Sequence, residues 1–293
     1  MIIGFGGKGG VGKTTVLTLL LDEVARRDYP GKVLVIDGDP AMTLAMSLGL
    51  EDGPLTTLAD IRDSTPLTAR QIRGLPPGVT PEQHVSNLLE TQGCIARGKL
   101  REMKFDFMAM GHSEKPGCYC RINKALTGAL NAIRQNYDLI LIDNEAGLEH
   151  ISRYRLTQID LFALIMTQGQ SSWAVANRLR YLIDDVGIQV GQIWQIYNRL
   201  VKTGRSFSCG GDEYTLFLPE SDTIGAIDRQ GGSPVYLVEN HPLRLALEPI
   251  VTRIWGQVAE HSPAVLGVMS PDADAFAMMD VTETETEIVE LLT

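Results

Sequence analysis

Short apolar runs alternate with longer amphipathic stretches along most of the chain. Ile2–Phe5, Val33–Ile36, Phe105–Met110, Leu139–Ile142, Leu161–Met166, Val190–Tyr197 and Tyr214–Leu218 read as strands. Apolar runs of this length suit strands covered on both faces. Between them, Lys13–Arg27 sets Val16, Leu17, Leu20, Leu21 and Val24 on one helical face. Arg121–Gln135, Trp173–Val186 and His241–Glu260 read as further helices. This alternation predicts an α/β fold, a single doubly wound, mainly parallel sheet flanked by helices. Such sheets bind ligands at the carboxyl ends of their strands, where strand order reverses.

Two segments break the rhythm. Residues 64–100 carry Pro66, Pro76, Pro77 and Pro81 with little apolar periodicity, and are expected to form an insertion or lid of short helices. The tail from Ser270 is acidic, with Thr and Glu alternating over 282–287. The expected organisation is one domain over residues 1–262, with that insertion, and an acidic C-terminal extension over 263–293.

Composition narrows the partners. The chain has 293 residues, 44% apolar and 21% charged, with a formal net charge of -10. That balance argues against a nucleic-acid partner, which would want clustered Lys and Arg. The tail lacks the basic face of a membrane-surface helix. No run approaches the ~20 apolar residues that span a bilayer. The chain opens on Met1-Ile2-Ile3-Gly4 without a basic leader, so a cytoplasmic location is expected. Thiols stay reduced there, so Cys94, Cys118, Cys120 and Cys209 are not expected to form disulfides.

The strongest chemical signal is Gly6-Gly7-Lys8-Gly9-Gly10-Val11-Gly12-Lys13-Thr14-Thr15. It holds GxxxxGK[ST] from Gly7 to Thr14, after an apolar strand and running into an amphipathic helix. Gly7, Gly9, Gly10 and Gly12, with Val11 among them, let successive backbone N–H groups turn towards phosphate oxygens. The helix N-terminus adds partial positive charge. Lys13 is expected to bridge the β- and γ-phosphates, Thr14 to ligate Mg²⁺, and Thr15 to reach the α-phosphate. Two more apolar runs end in carboxylates, at Asp37-Gly38-Asp39-Pro40 and at Asp143. An Asp at a strand end is often a cap or turn residue. Beside a phosphate loop, Asp37 and Asp143 are expected to help hold Mg²⁺, with Gly147 four residues past Asp143 as a γ-phosphate sensor.

Lys8 is a second lysine that the generic motif does not require. With it, the loop resembles the deviant Walker A loop of the MinD/ParA/nitrogenase-iron-protein group of ATPases. The resemblance implies a homodimer in which Lys8 reaches the partner's nucleotide, and a role for Asp39 in positioning the attacking water. It also implies that Asn198 contacts adenine and that Pro219 and Glu220 pack on the base. There is no NKxD guanine motif, so ATP and ADP are the expected nucleotides.

Cys118-Tyr119-Cys120 has two readings. It is a pair of small, partly buried residues, or half of a four-thiolate site completed by a second copy across a two-fold axis. Pro116-Gly117-Cys118-Tyr119-Cys120, together with Asp143-Asn144-Glu145-Ala146-Gly147-Leu148-Glu149-His150, resembles CooC-type proteins, which mature carbon monoxide dehydrogenase by assisting nickel insertion. This implies Ni²⁺ or Zn²⁺ on Cys118 and Cys120 and a nickel–iron carbon monoxide dehydrogenase as client. Ala41-Met42-Thr43 departs from the family's asparagine-containing stretch after DxDP. An iron–sulfur reductase component and a ParA- or MinD-like positioning switch are the alternatives. Cys94, Cys209, His112 and His150 carry no assigned role.

Overall fold

The computed structural model describes residues 1–39, 41–50, 56–65, 67–111, 120–144, 158–186, 188–200, 207–208 and 213–261. The chain divides into two compact units, Met1–Val251 and Thr252–Thr293. Residues 263–293, the expected acidic extension, lie outside the described residues.

The first unit is built on one sheet. Its strands among the described residues are β1 (Ile2–Gly6), β2 (Val33–Asp37), β3 (Ala96–Leu100), β4 (Met103–Ala109), β5 (Leu139–Asp143), β6 (Gln158–Met166), β7 (Gln189–Leu200), β8 (Phe207–Ser208) and β9 (Glu213–Pro219). Their spatial order is β3-β4-β2-β5-β1-β6-β7-β9-β8. The inner pairs are parallel, and only the edge pairs β3–β4 and β8–β9 are antiparallel. Every residue of β2 and β5 is buried, as their unbroken apolar runs require.

The helices are α1 (Lys13–Arg26), α2 (Thr43–Ser47), α3 (Leu58–Ser64), α4 (Ala69–Arg73), α5 (Pro81–Thr91), α6 (Cys120–Arg134), α7 (Gln170–Val186), α8 (Asp222–Arg229), α9 (Pro242–Leu245) and α10 (Glu248–His261). The expected helix over His241–Glu260 is two helices. Pro249 lacks an N–H to continue an α-helical ladder and instead sits in the first turn of α10, where that donor is not needed.

Residues 64–100 hold α4, α5 and β3. Thr80 and Gln83 form a capping box at the start of α5, with Pro81 in its first turn. Val85 and Leu89 of α5, with Cys94, share a buried cluster with Leu34 and Ile36 of β2 and Ile122 and Leu126 of α6. Burying Val85 and Leu89 contributes roughly 1.5–3 kcal/mol each. The segment is thus part of the packed layer on one face of the sheet. Two buried positions four apart are too sparse to register as a helical stripe. β3 escapes sequence reading because its Ala-Arg-Gly-Lys-Leu run is short and half polar.

The central helix α1 is fixed by charge as well as by packing. Arg244 of α9 reaches Asp22 at 2.7 Å and Glu23 at 2.6 Å, and it donates to the carbonyls of Leu237 and Val235. Arg101 and Arg26 also donate to Asp22. Burial pushes the Asp22 carboxyl up, but hydrogen bonds from Arg101 and Arg26 and the charge and hydrogen bond of Arg244 together outweigh it and hold the group below its ordinary value. Removing one partner of such a cluster leaves buried charge uncompensated. Arg244→Met should therefore cost about 3 kcal/mol and lower the thermal midpoint by roughly 6–12 °C. The Asp22 contribution is complete above the ordinary carboxylate range and is lost as pH falls through the lower folded value. Acid unfolding should accordingly begin at higher pH in Asp22→Asn than in the parent. Coincident acid transitions would contradict this.

Candidate functional site

The loop between β1 and α1 lies where strand order reverses. β1 pairs with β5 on one side and β6 on the other, while the chain leaves it towards β2. The register brings further groups to the same end. Asp37 and Asp143 are direct partners across β2 and β5, and Phe5 pairs with Asp143.

Two glycines allow the loop to press against its neighbours. Gly12 precedes α1 with φ 95° and ψ 27°, in the left-handed region. A Cβ there would lie 2.5 Å from Nδ2 of Asn198. Gly7, at φ 147°, sits so close to the carbonyl of Ile165 in β6 that any side chain would collide with it. The N-cap of α1 is Gly12, which has no side chain to cap it, so the first-turn N–H groups are left for an anion. A cavity of about 560 Å³ opens there, in the range of small-ligand sites. Gly9, Gly10, Gly12, Lys13, Thr14 and Thr15 line it on the loop side. Asp39, Asn198, Pro219 and Glu220, also expected from sequence, line it as well.

One corner of the site suits a hard cation. The Thr14 hydroxyl donates to Oδ2 of Asp143 at 2.6 Å. Oδ1 of Asp143 is buried and accepts no hydrogen bond from the described residues. A buried carboxylate oxygen without a donor is costly unless something positive meets it. Beside it, Asp37 accepts from the backbone N–H groups of Asp39 and Leu44 at 3.0 and 3.2 Å. Hydroxyl and carboxylate oxygens fit Mg²⁺. Burial is the main cause that raises the Asp37 carboxyl to about 7, and the Asp143 charge adds to it. Burial likewise raises Asp143 to about 6, against the Thr14 hydrogen bond and the Lys13 charge.

Other expected residues stand elsewhere or differently. Lys8 is exposed and donates to the Ser171 hydroxyl at 2.8 Å, at the start of α7. Ser171 carried no sequence signal, because its role depends on β6 running beside β1. Asn198 is engaged by backbone: Nδ2 donates to the Val11 carbonyl at 2.8 Å, and Oδ1 accepts from Arg199 N–H at 2.9 Å. Sequence reading also missed α8, whose Ile224 and Ile227 line the cavity. Ser221 caps that helix, and Ser-Asp-Thr-Ile at 221–224 was the available signal. Cys118, Gly147, Cys209, His112 and His150 lie outside the described residues. Cys120 is the first residue of α6. Among the described residues, no group of three or more His, Cys, Asp or Glu is placed to hold a metal. No described helix is long and apolar enough to cross a membrane.

Two outcomes follow from this geometry. Gly12→Ala forces a Cβ against Asn198 in a left-handed backbone, so nucleotide affinity should fall by more than tenfold, a loss above about 1.4 kcal/mol. Titration calorimetry with Mg²⁺–ADP reads it, and unchanged affinity would contradict the loop geometry. The raised carboxyls keep their protons to higher pH than the unfolded chain does. The ligand-free fold should thus lose stability as pH rises from about 4 towards 7. A divalent cation needs both groups ionised, so the thermal stabilisation by Mg²⁺–ADP should grow over the upper part of that window. A pH-independent stabilisation would contradict the arrangement.

Comparison with known proteins agrees with the geometry. The family model described as an AAA domain matches residues 1–186. An uncharacterized ATP-binding protein of Methanocaldococcus jannaschii is 31% identical over 202 residues, 68% of this chain and 75% of its own. The carbon monoxide dehydrogenase accessory protein CooC of Rhodospirillum rubrum is 29% identical over 241 residues, 79% of this chain and 88% of its own. The septum site-determining protein MinD of Pyrococcus horikoshii OT3, solved with Mg-ADP, superposes with a TM-score of 0.57 at 18% identity. That superposition covers 89% of this chain and 98% of MinD, and it shows the shared fold. A phosphate loop at the sheet's switch point, two strand-end aspartates and a family match across residues 1–186 place this chain in the AAA-domain family of P-loop ATPases, of the MinD/ParA kind.

Proposed function

We propose that this chain hydrolyses ATP with Mg²⁺ as a nucleotide-controlled homodimer and serves as a metallochaperone in maturing a nickel–iron carbon monoxide dehydrogenase. The observation that carries the ATPase part is the Thr14–Asp143 contact, with Oδ1 of Asp143 accepting no hydrogen bond from the described residues, beside a helix N-terminus whose N-cap is a glycine. Lys13 holds the β- and γ-phosphates, and Thr15 holds the α-phosphate. Thr14, Asp37 and Asp143 hold Mg²⁺, which neutralises charge on the phosphates when bound. Asp39 lines the same cavity and orients the attacking water. Lys8, exposed on the loop, crosses to the nucleotide of a second copy and adds positive charge where charge develops. To do so it leaves Ser171.

The metallochaperone part rests on the CooC relative and on Cys118-Tyr119-Cys120. Two copies supply four thiolates, enough for one tetrahedral or square-planar Ni²⁺ or Zn²⁺. Three measurements test the proposal. Light scattering should show a dimer with ATP and Mg²⁺ and dissociation after turnover, slowed in Asp39→Ala. Lys8→Ala should lower ATP turnover by about 10³-fold or more, the scale of a charge supplied to the transferred phosphoryl group. A Cys118→Ala, Cys120→Ala double variant should lose bound Ni²⁺ or Zn²⁺ while keeping nucleotide affinity. A protein that stays monomeric throughout would remove the dimer mechanism. Equal metal content in the double variant would remove the metallochaperone role, and ATP-dependent pelleting with anionic liposomes would favour a positioning switch instead.

A further inference from the structure

Asn198 sits at the far end of β7, 187 residues from the loop it touches. The residue is 5% exposed, so its amide is committed to the interior. Nδ2 donates to the Val11 carbonyl at 2.8 Å, and Oδ1 accepts from Arg199 N–H at 2.9 Å. Two local irregularities accompany this placement. The register between β7 and β9 shifts between Tyr197 and Leu200. A shift of this kind re-aims the side chain it encloses. The next residue, Arg199, has φ 62°, a left-handed conformation unfavourable for a residue with a Cβ. The strand end is distorted where it delivers Asn198 to the loop.

The target is informative. Val11 C=O and Gly12 N–H belong to one planar trans peptide, whose two polar groups point in opposite directions. Bonding the Val11 carbonyl to Asn198 turns the Gly12 N–H away from β7, within the loop that encloses the phosphates. The left-handed φ of Gly12 and the closeness of Nδ2, which a Cβ at position 12 would meet at 2.5 Å, belong to the same contact. We infer that Asn198 is a positioning residue for the phosphate loop: it fixes the Val11–Gly12 peptide, so it sets affinity for the polyphosphate moiety independently of any base. The inference rests on the reading of this loop as the phosphate site. It differs from the base contact that the family resemblance implies.

The test uses the full chain and two probes with Mg²⁺, ATP and inorganic tripolyphosphate, the second lacking a base. In Asn198→Ala, calorimetry should show both affinities falling by about tenfold, by a common factor, since one peptide orientation is lost in both complexes. Asn198→Asp keeps the acceptor for Arg199 but has no donor for Val11, so it should not restore binding. Thermal melts report whether each variant keeps its fold. Should the alanine variant not melt cooperatively, Asn198→Ser, too short to span to Val11, replaces it. Weakened ATP binding with unchanged tripolyphosphate binding would overturn the inference and return Asn198 to the base. Parent-like affinity in the alanine or aspartate variant would overturn it as well. A parent chain that binds neither probe would instead sink the nucleotide reading of the site.

Discussion

The 2.6 Å hydrogen bond from Thr14 to Asp143 joins the first turn of α1 to the end of β5. It exists because parallel register brings three strand ends to one line. Phe5 pairs with Asp143, and Asp143 pairs with Asp37. A one-residue slip of β5 would turn Asp143 to the other face and bring Ile142 into its place. Pairing on both sides, with β1 and with β2, holds β5 in that register. The chemistry of the site is thus specified by the sheet.

The sheet's main body was legible because its strands are unusually plain. Val33–Ile36 and Leu139–Ile142 are continuous apolar runs, each followed at once by Asp. The loop was legible because glycine and lysine at that spacing between strand and helix have few other uses. What could not be read depends on contacts across the sequence. β3 is an edge strand with only Gly98 and Leu100 buried, so half its pattern is solvent-facing. α8 buries no residue fully and packs through partly covered isoleucines over the cavity. Ser171 meets Lys8 only because β6 lies beside β1. Asn198 was legible as a site residue, but its hold on Val11 was not, since that contact spans most of the chain.

The carboxylates explain why such a site is costly to keep without ligand. Asp37 and Asp143 are buried side by side, and Lys13 is the cation that acts on Asp143. Desolvation disfavours both charges, the Asp143 charge adds to the penalty on Asp37, and the Asp39 charge adds to that on Asp143. The protons they retain are a substitute for a divalent cation. Binding the cation relieves the burial penalty and the repulsion together. The interaction that weakens the empty fold therefore strengthens the loaded one, as expected where function is built on local strain.

That strain must be resisted somewhere, and α1 is held along its length. Its first turn is fixed by Asp143 and, through Val11, by Asn198. Two turns further on, Asp22 and Glu23 are gripped by Arg244, with Arg26 and Arg101 adding to Asp22. A hydrophobic replacement of that cluster would stabilise α1 comparably. It would not fix the helix's rotation, because apolar contacts are non-directional. Directional bonds from one guanidinium to two adjacent carboxylates set both depth and rotation of α1. Thr14 lies on the same rigid helix, about 12 Å from Asp22 at 1.5 Å per residue. A small rotation at Asp22 would carry the Thr14 hydroxyl off Asp143. The buried ion cluster is thus best understood as what orients the helix that carries the phosphate loop, with net stability a secondary consequence.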